Sequence, residues 1–184
     1  MIKAICYIQI LLLVFTVNNT YSQKTDSLKN LLSKSTSPEK RLPILLNLCS
    51  EYQYINSDTA AYYIHQAISL NNNFNLKKYN SRIQVSYADI LVLQDSISKA
   101  LDIYNTVKTD FLKEGELKYL TKVYLVAGNI YLMNEDYPNA LSDYNYGLIL
   151  ADSLSLNDLI PHFYNNIGGI YFNIGSAKKL MIIT

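Results

Sequence analysis

The stretch YLVAGNIYLMNEDYPNALSDYNYGL, Tyr124 to Leu148, reads as two amphipathic helices joined by a polar turn. Small and large residues recur in it at helical spacings. Gly128 is followed three residues on by Tyr131, and Ala140 four residues on by Tyr144. Residues three and four apart share one face of a helix, so each half sets a small side chain beside a bulky one. Asn134-Glu135-Asp136 precedes Pro138, and proline is tolerated in a first helical turn, where its missing N–H has no helical partner. If the hairpin stands alone, an active site is the thing to look for; if it repeats, a binding surface is.

It repeats. At a shift of 40 residues Ala88, Gly128 and Gly168 align, as do Leu91, Tyr131 and Tyr171. Ala100 and Ala140 match at the same shift, and so do Tyr104 and Tyr144. A looser copy, LNLCSEYQYINSDTAAYYIHQAI, puts Cys49 and Tyr52 in the small and large places, followed by Ala60, Ile64 and Ala67, with a turn one residue shorter. Periods of this size predict stacked helical hairpins. The small residue lets a partner helix approach and the larger one fills the space beside it, so overfilling Ala140 is expected to cost about 1–3 kcal/mol. Asn56-Ser57-Asp58 and Gln94-Asp95-Ser96 fill the turn role in earlier copies, and Gly115 ends a long helix. No segment alternates as a strand would. The predicted fold class is all-α, a solenoid of antiparallel helix hairpins.

Composition agrees with a packed chain. About half of the 184 residues are apolar, and 16 basic side chains balance 15 acidic ones. A nucleic-acid binder would need a clustered excess of Lys and Arg; Lys77, Lys78 and Arg82 form a cluster that a solvated helix face explains. Residues 1–22 differ in kind: Lys3, then an apolar run from Ala4 to Val17, then Thr20-Tyr21-Ser22. The run is shorter than the roughly 20 residues of a membrane span, so it reads as a secretory signal cut after Ser22. An uncleaved anchor is the other reading, and only then would the chain carry a membrane span. Cleavage removes Lys3 and Cys6, leaving Cys49 alone and no internal disulfide to form. The expected organisation is a signal over 1–22, an N-terminal helix (around Asp26–Ser33) and linker over 23–40, repeats over 41–175, and an atypical end over 176–184.

Chemistry finds little support. His65 and His162 have no partner at metal-ligand spacing, Cys49 sits in a small packing position, and Gly168-Gly169 lies within a helical pattern without a phosphate-loop motif. Glu114 and Glu116 flank Gly115 at a helix end. Neither a catalytic triad, a supported carboxylate pair, a metal site nor a cofactor fingerprint is found, so no catalysis and no cofactor are expected.

The small–x–x–aromatic spacing, the later alanine, and the tyrosine four residues beyond it resemble the tetratricopeptide repeat (TPR) family over about Arg41 to Gly175. The usual 34-residue unit is lengthened to 40 here. The family's frequent tryptophan early in the first helix is replaced by Tyr124 or Gln84 nearby. With its signal-like start, the chain resembles more narrowly the N-terminal repeat region of bacterial sensor histidine kinases or helix-turn-helix regulators, although neither module follows Gly175. The resemblance implies a concave groove, lined by first helices, that holds a protein or peptide partner. The matching positions are Arg82, Val85 and Asp89, then Lys122, Leu125 and Asn129, then His162 and Asn165. Asn129 and Asn165 would bond a peptide backbone, and Arg82 and Lys122 a carboxylate; solvated helix faces are the plainer reading. Leu125 stands where a carboxylate-clamping lysine would be needed, which disfavours a chaperone-tail binder.

After DLIPHFYNNIGGIYFNIG the fourth hairpin is expected to break, because SAKKLMIIT supplies neither a polar turn nor an alanine-bearing helix. Terminal repeats normally turn a polar face outward. Two readings follow: a truncated sensor or regulator, or a self-contained secreted or periplasmic scaffold that oligomerises through its apolar C-terminal end.

Overall fold

The computed structural model describes the backbone of residues 22–183 and the side chains of residues 22–175. The signal expected over 1–22 therefore lies outside the described residues except for Ser22, and the side chains of the atypical end lie outside them as well. Among the described residues the regular structure is helical, with no strand. Helix α1 covers 22–34. It is followed by α2 (Pro38–Tyr52), α3 (Ser57–Phe74), a short 3-10 turn (Lys77–Tyr79), α4 (Asn80–Leu93), α5 (Ile97–Glu114), α6 (Leu117–Met133), α7 (Tyr137–Ser153) and α8 (Ile160–Ile183). The chain divides into two compact units, residues 1–90 and 91–184.

In the first unit α2 and α3 form a hairpin around Leu42, Leu45, Leu48, Cys49, Ala60, Ile64 and Ala67. Each of these is at most 2% exposed, and burying a Leu or Ile side chain stabilises by about 1.5–3 kcal/mol. Helix α2 starts at Pro38, ahead of the expected repeat boundary at 41, because proline fits its first turn. A second proline, Pro43, has no N–H to offer the carbonyl of Glu39 four residues back. The Tyr79 hydroxyl donates to that carbonyl instead, at 3.2 Å. Asn56 caps α3 by accepting from the Thr59 N–H at 2.9 Å.

The second unit holds α5 to α8, with α6 and α7 as its central hairpin. Its packing follows from two glycines. A Cβ at Gly128 would lie 2.5 Å from Cε1 of Tyr144, and one at Gly147 would lie 2.4 Å from Cε1 of Phe163. Both distances are far inside van der Waals contact, so only glycine admits these rings. Tyr144 and Phe163 are fully buried and meet edge to face at 6.3 Å. Ala100, Ala140 and Tyr104 are fully buried too.

The turns keep the 40-residue register in detail. Asp95 and Glu135 both adopt left-handed backbone, each with φ 59°. The next residue then reaches back: the Ser96 N–H donates to Leu91 at 2.8 Å and the Asp136 N–H to Tyr131 at 2.9 Å. Ser96, expected as a cap, makes no side-chain capping bond, whereas the Asp136 side chain accepts from the Asn139 N–H. Gly115 ends α5 at φ 73° as expected.

Helix α8 continues through the position matching the earlier turns to Ile183, so among the described residues no turn and second helix of a fourth hairpin follow it. The sequence explains this: Ala177, Lys178, Lys179, Leu180 and Met181 are good helix formers, and no proline or polar cluster interrupts them.

Candidate interaction surface

In the second unit the first helices of successive repeats, α6 and α8, run beside each other and are joined at their polar edges. Asn129 Oδ1 accepts from Asn166 Nδ2 and from the Tyr144 hydroxyl, both at 2.8 Å. Lys122, Leu125 and Asn129 lie three and four residues apart along one stripe of α6, and His162 and Asn165 lie three apart on α8. Lys122, Asn129, His162 and Asn165 are exposed; Leu125 is half-buried against the core. Exposed hydrogen-bonding groups thus stand on both helices, with Leu125 as a half-buried apolar residue between Lys122 and Asn129 on α6. Because the oxygen of Asn129 already accepts two bonds, its amide nitrogen is the atom left to meet a ligand. The Tyr144 phenol that donates to that oxygen is pushed up to about 12, chiefly by burial, with the Asn166 amide acting against the rise and the Asp143 charge adding to it.

Arg82, Val85 and Asp89 lie in the first unit, all half-buried on α4. The Arg82 guanidinium sits over the Tyr79 ring, 5.7 Å from its centre, with Lys78 also over that ring at 5.0 Å. A cleft of about 330 Å³ opens nearby between α3 and α4, walled by Asn71, Asn72, Asn80 and Gln84 with Tyr87. Asn71 donates to Asn80 there at 2.8 Å.

Beneath the second unit's surface lies an ion pair that sequence periodicity could not show. Lys108 on α5 contacts Asp143 on α7 at 2.6 Å, with side chains only 13% and 10% exposed. The ammonium also lies 5.2 Å from the centre of the Tyr124 ring and 5.9 Å from that of Tyr131. Burial raises the Asp143 carboxyl above its ordinary range, and the bond to Lys108 opposes that rise. The two residues are 35 apart, off the 40-residue register, so self-alignment passes over them. Asn166 was missed for the same reason: it lies 37 residues from Asn129.

The residues weighed for chemistry are dispersed. His65 and His162 are exposed on different helices. Cys49 is a buried free thiol whose titration burial, reinforced by the charge of Asp89, pushes up to about 12. A thiol held protonated in this way is a poor nucleophile. Glu114 and Glu116 lie at the α5–α6 connection, both exposed. Among the described residues no group of His, Cys, Asp or Glu is arranged to hold a metal, and no helix is long and apolar enough to cross a membrane.

Two solved structures share the fold. BtubC (BKLC) from P. vanneervenii matches with a TM-score of 0.64 at 17% identity, covering 89% of this chain and 67% of its own. A signal transduction ATPase with numerous domains and a tetratricopeptide repeat sensor, from Pyrococcus horikoshii, matches with a TM-score of 0.70 at 17% identity over 91% of this chain. The chain spans about a quarter of that protein's length (26%). No curated protein matches the sequence. The family model described as the SusR N-terminal TPR domain matches residues 17–155, most of the sequence and all of the first three hairpins. With hairpins of that register seen in the fold, the chain is a tetratricopeptide repeat protein and belongs to the SusR N-terminal TPR domain family.

Proposed function

We propose that the chain is a non-enzymatic module that binds a protein or an extended peptide, and that it serves as the extracytoplasmic sensory part of a bacterial signal-transduction protein. The observation that carries the binding reading is the exposure of Lys122 and Asn129 on α6 and of His162 and Asn165 on α8, with Leu125 half-buried between the first two. Such a mixture suits an extended chain: carboxamides meet backbone groups, Leu125 meets an apolar side chain, and Lys122 meets a carboxylate. Arg82, Val85 and Asp89, on α4 in the first unit, are proposed by the same resemblance as a contact surface of their own. The sensory reading is supported by the family match and by the TPR sensor of the Pyrococcus protein. Export is read from the pattern of residues 1–22, and cleavage after Ser22 belongs to the same proposal.

Selection of peptides from a displayed random library against the full chain tests the binding reading. Selected peptides should lose at least tenfold in affinity for Leu125→Glu and less for Asn165→Ala. Peptides indifferent to both changes would assign binding to another surface. For the sensory reading, the complete gene should encode, beyond the repeats, a membrane helix with a kinase or DNA-binding module; a gene without them would favour a self-contained scaffold.

A further inference from the structure

The repeat register also allows the junctions between hairpins to be compared. Asn75 and Gly115, forty residues apart, both adopt left-handed backbone at a helix end, with φ 52° and 73°. The alignment therefore holds where α3 gives way to α4 and where α5 gives way to α6. In the second unit this junction is apolar. Phe111 on α5 and Leu120, Val123 and Ala127 on α6 are each at most 2% exposed, and the Phe111 ring stacks on Tyr119 at 5.7 Å. Forty residues earlier the matching positions are Asn71, Asn80, Ile83 and Tyr87. The cleft of about 330 Å³ between α3 and α4 opens at these residues, with Ile68, Asn72 and Gln84 completing its walls. The two helices and the Lys77–Tyr79 turn that frame it are all described.

Carboxamides at this junction come at a cost. Asn71 Nδ2 donates to Asn80 Oδ1 at 2.8 Å, yet Asn71 Oδ1 is buried and has no hydrogen-bond partner. Turning the amide over would satisfy its oxygen through Asn80 and strand its nitrogen instead. A buried polar atom left unmet destabilises a fold, and an apolar side chain, such as Phe111 at the matching position, has no such atom. Departures from a repeat's own packing rule are expected at functional positions. Among the described residues that line the cleft none is charged, which favours an uncharged ligand.

We propose that this cleft binds a small uncharged ligand through a carboxamide, either a peptide bond or an Asn or Gln side chain. An amide carries a donor and an acceptor in one plane. Its N–H meets the Asn71 oxygen once that side chain turns toward the opening, and its C=O accepts from the amide nitrogen of the exposed Asn80. Ile68, Ile83 and Tyr87 offer apolar contact, and the exposed Gln84 a further hydrogen bond. The site lies within the first unit and does not depend on the α6–α8 surface.

The probe is N-acetylglutamine N-methylamide, titrated into the isotope-labelled full chain while the side-chain amide signals of asparagine and glutamine are followed by NMR. Those of Asn71, Asn80 and Gln84 should shift saturably. Asn71→Leu should weaken binding at least tenfold and raise the midpoint of thermal unfolding, because it removes the unmet atom. Gln84→Ala, at an exposed position, should weaken binding at least threefold and leave the circular dichroism unchanged. N-acetylalanine N-methylamide separates the two sources of the amide: equal affinity assigns the peptide bond, and a weaker response assigns the side chain. Absence of saturable shifts, binding indifferent to both substitutions, or a lowered midpoint in Asn71→Leu overturns the proposal. A stronger response of the same signals to glycerol assigns the cleft to hydroxyl groups, and overturns it as well.

Discussion

Helices α6 and α8 carry the same small-and-aromatic pattern and differ in what surrounds it. Gly128 is buried beneath Tyr144, while Gly168 faces open space. Tyr131 is half-buried and its hydroxyl accepts from Asn105 at 3.2 Å, whereas Tyr171 is 62% exposed. A local pattern therefore fixes which face of a helix seeks a partner, and the neighbouring helix decides whether that need is met. Below the level of the repeat, the two places also differ in their polar ties. Lys108 joins α5 to α7 through Asp143, and forty residues after Lys108 the chain has Leu148.

The largest break in this contrast should come from Lys108→Met. It leaves the Asp143 carboxylate buried without its cation, which costs about 3–5 kcal/mol. Urea unfolding should show the loss, and adding Asp143→Leu should recover most of it, because an apolar pair of similar volume needs no compensation. If the single variant is neutral, the pair does not hold α5 to α7.

Next is a matched substitution at the two glycines. Gly128→Ala forces a Cβ against the Tyr144 ring and should cost about 1–3 kcal/mol. Gly168→Ala meets no neighbour and gains helix propensity, so it should stabilise by about 0.5–1 kcal/mol. Opposite signs in the two unfolding curves sharpen the contrast; equal signs break it.

A smaller effect is expected from Tyr144→Phe. The ring still fills the notch at Gly128, but the bond to Asn129 is lost, at about 1 kcal/mol. Smallest is a pH effect of Asp143. Burial raises its carboxyl in the folded chain above the ordinary value of 3.8, so the folded state holds this proton more tightly than the unfolded state does. The stability it contributes is complete below the unfolded value and is lost as pH rises through the raised one. Comparing wild type with Asp143→Asn from about pH 3.5 to 6 should show that downward slope with rising pH in the wild type only.

The repeats and their register were legible because they rest on side-chain size at fixed spacing. Ala88, Gly128, Ala100, Ala140, Tyr104 and Tyr144 are all buried where the self-alignment puts them. The left-handed turn positions Asp95 and Glu135 were not legible, since glycine is the usual signal for that conformation and neither is one. The bonds through Lys108, Asp143 and Asn166 also escaped notice, because each joins residues separated by something other than one repeat. The positions Lys122, Leu125, Asn129, His162 and Asn165 were named from the family resemblance rather than from the chain's own pattern. The engagement of the Asn129 oxygen was not, as it depends on how α7 and α8 meet α6. The continuation of α8 beyond Gly175 to Ile183 was not read in advance, although the run that follows is helix-forming.

The most direct measurement is hydroxyl-radical footprinting of the full chain, with modification at Tyr144, Tyr164 and Tyr171 quantified by mass spectrometry. An open α8 face beside a closed third hairpin predicts strong modification of Tyr164 and Tyr171 and protection of Tyr144. Protection of all three to the same degree would contradict it, because the face would already be covered in the isolated chain.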